Sequence, residues 1–142
     1  MIYCDASLIV SAFADEDLSV LARSFLQRIG TRALAVSAWV ATEVASALAM
    51  KLRRGEIDDA ERAVLLSRWE SFRALVCVTA IEPDDFASAA TLVDAGPRGL
   101  RAGDALHLAI VGRAGRALAT LDRDLADAAE AIGIEVALRP PA

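Results

Sequence analysis

Short apolar runs alternate with amphipathic helical segments along the whole chain. The clearest helical spacing of apolar residues extends from Asp17 to Ile29, and Gly30 follows it as a helix stop signal. Apolar runs typical of buried strands separate the helical segments. The predicted strands are Ile2 to Asp5, Ala33 to Val36, Leu75 to Ile81, Ala117 to Asp122 and Glu135 to Leu138.

The helical segments are bounded by capping and stop residues. Asp58 and Glu61 form a capping-box pattern, and Gly55 closes the helix before it. The segment Gly96-Pro97-Arg98-Gly99 predicts a loop. The predicted helices start near Ser7 and cover Asp17 to Ile29, Ala38 to Arg54, Asp58 to about Phe72, Asp84 to Asp94, Ala102 to Arg113 and Asp124 to Ile132.

This alternation predicts an α/β fold. Strands separated by helices form a parallel sheet, because each crossover lays a helix over the sheet. We therefore expect about four to five short strands flanked by helices on both faces. No internal repeat or linker interrupts the pattern, which predicts a single domain over residues 1–142.

Composition and charge narrow the class of protein. The 142 residues are 56 % hydrophobic and carry a net charge of −5, which excludes a disordered chain. A negative chain is a poor non-specific binder of polyanions. A nucleic-acid partner would therefore need local arginines or a bound cation.

Cysteine use and hydropathy indicate a reducing compartment. Cys4 and Cys77 lie in strand-like runs and predict buried free thiols rather than a disulfide. The longest apolar stretch, Ala33 to Met50, contains polar residues and divides into a strand and a helix, so no membrane span is predicted. The expected location is the cytoplasm.

Two aspartates occupy the last positions of predicted strands. Asp5 ends the first strand and Asp122 ends the fourth. In open parallel sheets, ligands bind in the crevice beyond the carboxyl ends of the strands. The alternative for each residue is capping of the following helix, a common role of aspartate.

Glu43 lies on an apolar helix face with Trp39, Val40 and Ala47 one turn away. Burial of a glutamate there would carry a large desolvation penalty unless another group compensates the charge. The alternatives to a functional role are an arginine partner or an edge position that reaches water.

Asp104 lies near the start of the helix that follows the predicted loop, where N-capping is the alternative role. His107, three residues further, shares its helix face. We interpret His107 as a packed or hydrogen-bonding support outside the site rather than a metal ligand.

Four carboxylates gathered in one crevice would repel one another strongly. A hard divalent cation such as Mg²⁺ or Mn²⁺ resolves that repulsion, because it prefers oxygen ligands. Such a cation polarises a phosphate oxygen and lowers the pKa of bound water. Ser7 and Thr120 are candidate supporting hydroxyls, with bonds to nearby backbone groups as the alternative.

The order and spacing of these residues resemble the motifs of PIN-domain ribonucleases, and in particular the VapC-type toxins of bacterial toxin–antitoxin pairs. The similarity covers essentially the whole chain. The motifs are Ile2-Tyr3-Cys4-Asp5-Ala6-Ser7, Thr42-Glu43, Arg101-Ala102-Gly103-Asp104-Ala105-Leu106-His107 and Thr120-Leu121-Asp122.

The resemblance implies a metal-dependent endoribonuclease that hydrolyses RNA phosphodiester bonds. Asp5, Glu43, Asp104 and Asp122 take the positions of the family's acidic quartet, as catalytic residues and ligands of Mg²⁺ or Mn²⁺. It also implies a homodimer and a cognate antitoxin protein that holds the enzyme inactive. The alternative is a non-catalytic PIN-fold module that binds RNA or an antitoxin.

Contacts to RNA should rely on phosphate. Aromatic residues make up 5 % of the chain, which leaves little material for base stacking. Arg98, Arg101 and Arg123 are the arginines nearest to the quartet in sequence, and solvated surface charge is the alternative for each. A dinucleotide-binding fold is disfavoured because Asp5-Ala6-Ser7 supplies no glycine-rich turn.

Overall fold

A computed structural model describes all residues, Met1–Ala142, and contains one five-stranded parallel sheet. The strand order is β3-β2-β1-β4-β5, so β1 is central and β3 and β5 are the edges. The strands are β1 Ile2–Cys4, β2 Leu34–Ser37, β3 Cys77–Thr79, β4 Ala117–Ala119 and β5 Val136–Leu138.

Seven helices connect the strands, together with a short 3-10 helix at Thr31–Ala33. None of the seven has the length and apolar character needed to cross a membrane. The helices are α1 Ala6–Phe13, α2 Ser19–Ile29, α3 Ala38–Arg53, α4 Asp59–Arg73, α5 Pro83–Ala95, α6 Ala102–Ala114 and α7 Arg123–Ala131.

The helices cover both faces of the sheet. Leu34, Ala35 and Val36 in β2 are all fully buried, as are Tyr3 and Cys4 in β1. Successive strand residues point to opposite faces, so consecutive burial requires cover on both sides. Helix α6 is buried around its circumference over residues 105–111, which places it inside the molecule. The predicted α/β class and parallel sheet are confirmed.

The strand ends differ from those that the sequence predicts. The predicted strand from Ala117 to Asp122 ends at Ala119, and Asp122 instead caps α7. Its Oδ1 accepts hydrogen bonds from the N–H groups of Asp124 and Leu125 at 2.9 and 3.2 Å, which turns the backbone into the helix. The third strand is likewise shorter than predicted and covers Cys77–Thr79.

The cysteine prediction is correct for one thiol and wrong for the other. Both thiols are free, and Cys4 is fully buried in the central strand, where burial raises its pKa. Cys77 is only half-buried because β3 is an edge strand. Its Sγ lies 3.6 Å from an Arg116 nitrogen.

An ion pair between a buried aspartate and an exposed arginine joins α5 to α6. Asp85 is 1 % exposed and accepts hydrogen bonds from Nε and Nη2 of Arg113 at 2.7 and 2.9 Å. It also accepts one from the N–H of Glu82 at 2.8 Å, at the start of α5. The Arg113 guanidinium beside Asp85 holds the pKa of that carboxyl below its usual range. The charged form of Asp85 is therefore stabilised in the folded protein.

The substitution Asp85→Asn should lower the free energy of unfolding near neutral pH, because it removes the charge that pairs with Arg113. Water reaches the Arg113 side chain and screens the pair, so the loss should be modest. A depressed pKa stabilises the fold above the ordinary aspartate pKa, and that stabilisation is lost as pH falls through the folded-state pKa. Urea unfolding at about pH 7 and about pH 3 should therefore show the difference from wild type shrinking in acid. Substitution of the exposed neighbour, Asp84→Asn, is the control, and an equal effect of both would contradict a stabilising Asp85–Arg113 ion pair.

Candidate active site

All four predicted carboxylates line one cleft of about 680 Å³. Asp5 directly follows β1, and Asp122 follows the adjacent strand β4. Glu43 lies in α3, the helix that follows β2, and Asp104 lies in the first turn of α6. The cleft is at the carboxyl edge of the sheet, where β1 connects to β2 on one side and the chain crosses from β3 to β4 on the other. This is the place where open α/β sheets bind ligands.

Asp5 is the most buried of the four carboxylates, with 4 % of its surface exposed. It accepts hydrogen bonds from the Ser7 hydroxyl at 2.8 Å, the Thr120 hydroxyl at 2.8 Å and the Leu8 N–H at 3.1 Å. No arginine or lysine pairs with it, and burial raises its pKa. Asp5 therefore caps α1 and also presents a desolvated carboxylate that lacks a cationic partner.

Ser7 and Thr120 hold the ends of β1 and β4 together. Their hydroxyl oxygens are 3.2 Å apart, and both contact Asp5. Ser7 Oγ also accepts a hydrogen bond from the Leu121 N–H, and Thr120 Oγ1 accepts one from the Asp122 N–H. The two roles considered for these hydroxyls, contact with a carboxylate and contact with the backbone, thus occur together.

Arg101 bridges the other two aspartates. Its Nε donates to Asp104 Oδ2 and its Nη2 donates to Asp122 Oδ2, both at 2.9 Å. Asp104 accepts no backbone hydrogen bond, so it is not the cap of α6; Arg101 holds that position. Burial raises the pKa of Asp104, and the Arg101 charge opposes that effect. The guanidinium therefore compensates two carboxylates of the cleft.

The other arginines predicted to contact phosphate lie outside the cleft lining. Arg98 lines a separate cavity with Asp124 and Asp127. Arg123 donates a hydrogen bond to the Pro141 carbonyl at 2.8 Å, which ties it to the chain terminus. Of the three arginines, only Arg101 lines the cleft with the quartet.

The sequence did not predict two cationic residues of the cleft. Lys51 and Arg54 line it, and Lys51 pairs with Glu16 at 2.6 Å. Arg54 follows Glu43 by eleven residues, or about three helical turns, and Met50 also lies on this face of α3. This helical spacing places Arg54 on the same face as Glu43 and could have indicated from the sequence that both face the cleft. The side chain of Arg54 is 65 % exposed and 3.9 Å from Glu56, which leaves it accessible to an anion.

Of the two alternatives considered for Glu43, an arginine partner is absent, whereas the side chain does reach water. Its Oε2 lies 2.5 Å from Nε2 of His107, and its side chain is 28 % exposed. His107 also lines the cleft. His107 is a buried hydrogen-bonding support, as the sequence suggested, but it lies at the cleft and contacts a quartet carboxylate directly.

Family comparison identifies the fold. The sequence pattern of the PIN domain matches residues 2–131. The chain belongs to the PIN domain family. Proteins of this family are nucleases. No curated protein matches the chain in sequence.

Solved structures share the PIN fold over nearly the full chain. VapC20 of Mycobacterium tuberculosis, a toxin that cleaves the sarcin–ricin loop, has a TM-score of 0.71 at 18 % identity, covering 90 % of this chain and 95 % of its own. FitAcB of Neisseria gonorrhoeae has a TM-score of 0.70 at 18 % identity, covering 96 % of both chains. VapBC2 of Rickettsia felis, bound to a promoter DNA fragment, has a TM-score of 0.62 at 14 % identity, covering 90 % of this chain and 93 % of its own.

The donor set of the PIN cleft suits a hard cation. Four carboxylates without a cysteine ligand favour Mg²⁺ or Mn²⁺ over softer metals. Asp5 lacks a cationic partner, and Oε1 of Glu43 makes no hydrogen bond within the protein. As they stand, no three acidic, histidine or cysteine side chains are close enough to hold a metal ion. Release of Arg101 from its two aspartates would free ligands for the cation.

Gly103 leaves room for Glu43 in the wall of the PIN cleft. A Cβ added at Gly103 would lie 3.3 Å from Glu43 Oε1 and 3.3 Å from the Trp39 ring. These separations are tight for a carbon contact, so a methyl group there would push on both neighbours.

The substitution Gly103→Ala should move Trp39 and Glu43, so we expect a shifted Trp39 indole N–H signal in a ¹H–¹⁵N spectrum. Alanine favours helix, yet crowding should cancel that gain in stability. Gly112→Ala in the same helix is the control. Its Cβ would meet only Ile134, at 3.9 Å, so it should stabilise the protein by up to about 1 kcal/mol. Identical effects of the two substitutions on the melting temperature and the indole signal would contradict this view.

Proposed function

We propose that this PIN domain is a divalent-metal-dependent endoribonuclease that acts as the toxin of a type II toxin–antitoxin pair. The observation that carries the proposal is the convergence of Asp5, Glu43, Asp104 and Asp122 on one cleft at the carboxyl edge of the sheet. These residues come from four separate segments of the chain. An acidic cleft in a PIN nuclease supports metal-assisted cleavage of a phosphodiester.

The four carboxylates would hold Mg²⁺ or Mn²⁺ and serve as the catalytic residues. When bound, the cation polarises a phosphate oxygen and lowers the pKa of water. Ser7 and Thr120 fix the Asp5 carboxylate through their hydroxyls. Fixed ligands lower the entropy lost on binding.

Positive side chains at the cleft would contact the RNA backbone. The net charge of −5 opposes RNA, so attraction must come from local cations. Arg101 and Arg54 line the cleft and have exposed side chains, 67 % and 65 % respectively. Arg101, once released from Asp104 and Asp122, would offer its guanidinium to phosphate.

The proposed protein partner is an antitoxin. Structures with the same fold include VapBC and FitAB toxin–antitoxin complexes bound to DNA. An antitoxin that covers the cleft would keep the nuclease inactive in the cytoplasm, where we place its action. The second candidate function is a non-catalytic module for RNA or an antitoxin. The ion pairs of Arg101, which engage two quartet carboxylates, favour that candidate.

RNA cleavage by single amide variants separates the two functions. Asp5→Asn, Glu43→Gln, Asp104→Asn and Asp122→Asn should each reduce Mg²⁺-stimulated cleavage by about 100-fold or more, because an amide keeps the shape but loses the charge that binds the cation. Each variant should still fold by circular dichroism. Asp124→Asn, a nearby acid outside the cleft lining, should cleave like wild type. Near wild-type rates in any two quartet variants would contradict the assignment.

We also propose a homodimer formed through α5. Phe86 and Val93 lie two turns apart on this helix and are 59 % and 47 % exposed. Exposed apolar side chains on one helix face favour a protein interface. Sedimentation velocity should show a dimer at micromolar concentration, and Phe86→Glu should convert it to monomer. A wild-type protein that sediments only as a monomer would contradict the dimer.

A further inference from the structure

A chain of hydrogen bonds runs from the buried sheet to Glu43 in the cleft. Ser37 Oγ lies 2.7 Å from the Tyr3 hydroxyl, at the end of β2. The same hydroxyl lies 2.9 Å from Nδ1 of His107, and Nε2 of His107 lies 2.5 Å from Glu43 Oε2. These four residues form the buried hydrogen-bond chain. It connects two strands and α6 to a carboxylate of α3.

The direction of the last hydrogen bond follows from the groups involved. A glutamate carboxylate only accepts hydrogen bonds, so His107 donates through Nε2–H. With Nε2 as the donor to Glu43, Nδ1 of neutral His107 accepts a hydrogen bond from the Tyr3 hydroxyl. Tyr3 holds the opposite ring nitrogen of His107. A flip of the imidazole ring would break both contacts.

Water has no access to the inner part of the buried hydrogen-bond chain. Tyr3 and Ser37 are fully buried, and His107 is 1 % exposed. Tyr3 also packs edge-on against the imidazole, with ring centroids 5.6 Å apart. Lost hydrogen bonds in such a place are not replaced by solvent, so the His107 ring has one orientation.

A second residue on the same face of α6, Gly103, lies beside the Glu43 carboxylate. Gly103 is one turn before His107, and its missing side chain accommodates Glu43 Oε1 beside Trp39. The Glu43 carboxylate therefore lies between the His107 imidazole, which donates a hydrogen bond to it, and the space left by the absent side chain of Gly103. Oε2 is engaged by His107, while Oε1 makes no hydrogen bond within the protein.

A histidine that only satisfied the core would not need this connection to the cleft. The bond between His107 and Glu43 leaves the core and ends on a carboxylate that is 28 % exposed. A free glutamate side chain loses rotamer freedom when it binds a cation. Because the hydrogen bond from His107 already holds the Glu43 side chain in the folded protein, that loss of rotamer freedom occurs on folding and does not weaken cation binding.

We propose that His107, itself fixed by Tyr3, is a positioning residue that orients the Glu43 carboxylate for a divalent cation. The inference rests on the proposed metal-dependent function. It adds a role for two residues that do not themselves touch the cation or the RNA. Partners that orient metal ligands commonly change metal affinity by 10- to 100-fold.

Three substitutions in the full chain separate positioning from packing. His107→Leu removes the donor and keeps the bulk, while His107→Gln retains an N–H donor in place of Nε2. Tyr3→Phe removes only the hydroxyl that holds His107. The control is Thr79→Val on β3, which deletes a buried hydroxyl that accepts a hydrogen bond from Arg116 and does not contact Glu43. The readouts are Mn²⁺ affinity from the electron paramagnetic resonance of free Mn²⁺, melting temperature, and kcat and KM for RNA.

His107→Leu should weaken Mn²⁺ binding by about 10- to 100-fold. His107→Gln should restore most of that affinity, and Tyr3→Phe should weaken it by about two- to tenfold. In His107→Leu and Tyr3→Phe, kcat should fall while the KM for RNA stays near the wild-type value, because neither residue is placed against RNA. Thr79→Val should lower the melting temperature and leave Mn²⁺ affinity unchanged.

Wild-type Mn²⁺ affinity in both His107→Leu and Tyr3→Phe would overturn the positioning role and leave the nuclease proposal intact. Equal losses in the leucine and glutamine variants would also overturn it, since the retained donor would then have no effect. If His107→Leu does not fold, unchanged affinity in Tyr3→Phe alone overturns the role. A wild-type protein that neither binds Mn²⁺ nor cleaves RNA would instead overturn the proposed function, and the positioning role with it.

Discussion

The burial of the Asp5 carboxylate at the end of the central strand is the constraint on which the site depends. A desolvated carboxylate is tolerated only where donors surround it, and here Ser7, Thr120 and the Leu8 N–H fill that role. Two of those donors also join the ends of β1 and β4. The interactions that satisfy Asp5 therefore also hold together the edge of the sheet at which the cleft opens.

The carboxylates around Asp5 are compensated in different ways. Asp104 and Asp122 share the Arg101 guanidinium, while Glu43 is held by the His107 imidazole. Asp5 has hydrogen bonds alone and no cationic partner. The cleft thus combines fixed acidic groups with an exposed arginine that bridges two of them. This arrangement suits the replacement of an arginine by a metal ion without rebuilding the sheet.

The sequence predicted the features that depend on local pattern. Apolar periodicity placed the strands and helices in the correct order, and the ends of the predicted strands placed Asp5 and Asp122 at the carboxyl edge of the sheet. Strand lengths were less accurate, because Asp122 turns the backbone into α7 three residues after β4 ends. A capping aspartate at the end of an apolar run resembles a continuing strand in sequence.

Contacts between distant segments could not be predicted in the same way. His107 and Glu43 are 64 residues apart, and their hydrogen bond depends on how α6 packs beside α3. The double ion pair of Arg101 likewise depends on the meeting of two loops at the cleft. Cys77 was misjudged because the sequence does not reveal that β3 is an edge strand. Each of these features is set by tertiary packing rather than by local pattern.

The central claim is that the four carboxylates form a site for a divalent cation. A crystal of the full chain soaked in Mn²⁺ and measured at the manganese absorption edge tests it most directly. The account predicts an anomalous peak in contact with carboxylates of the quartet, with Arg101 moved away from Asp104 and Asp122. Full Mn²⁺ exposure with no peak in the cleft, and with Arg101 still bridging the two aspartates, would contradict the account.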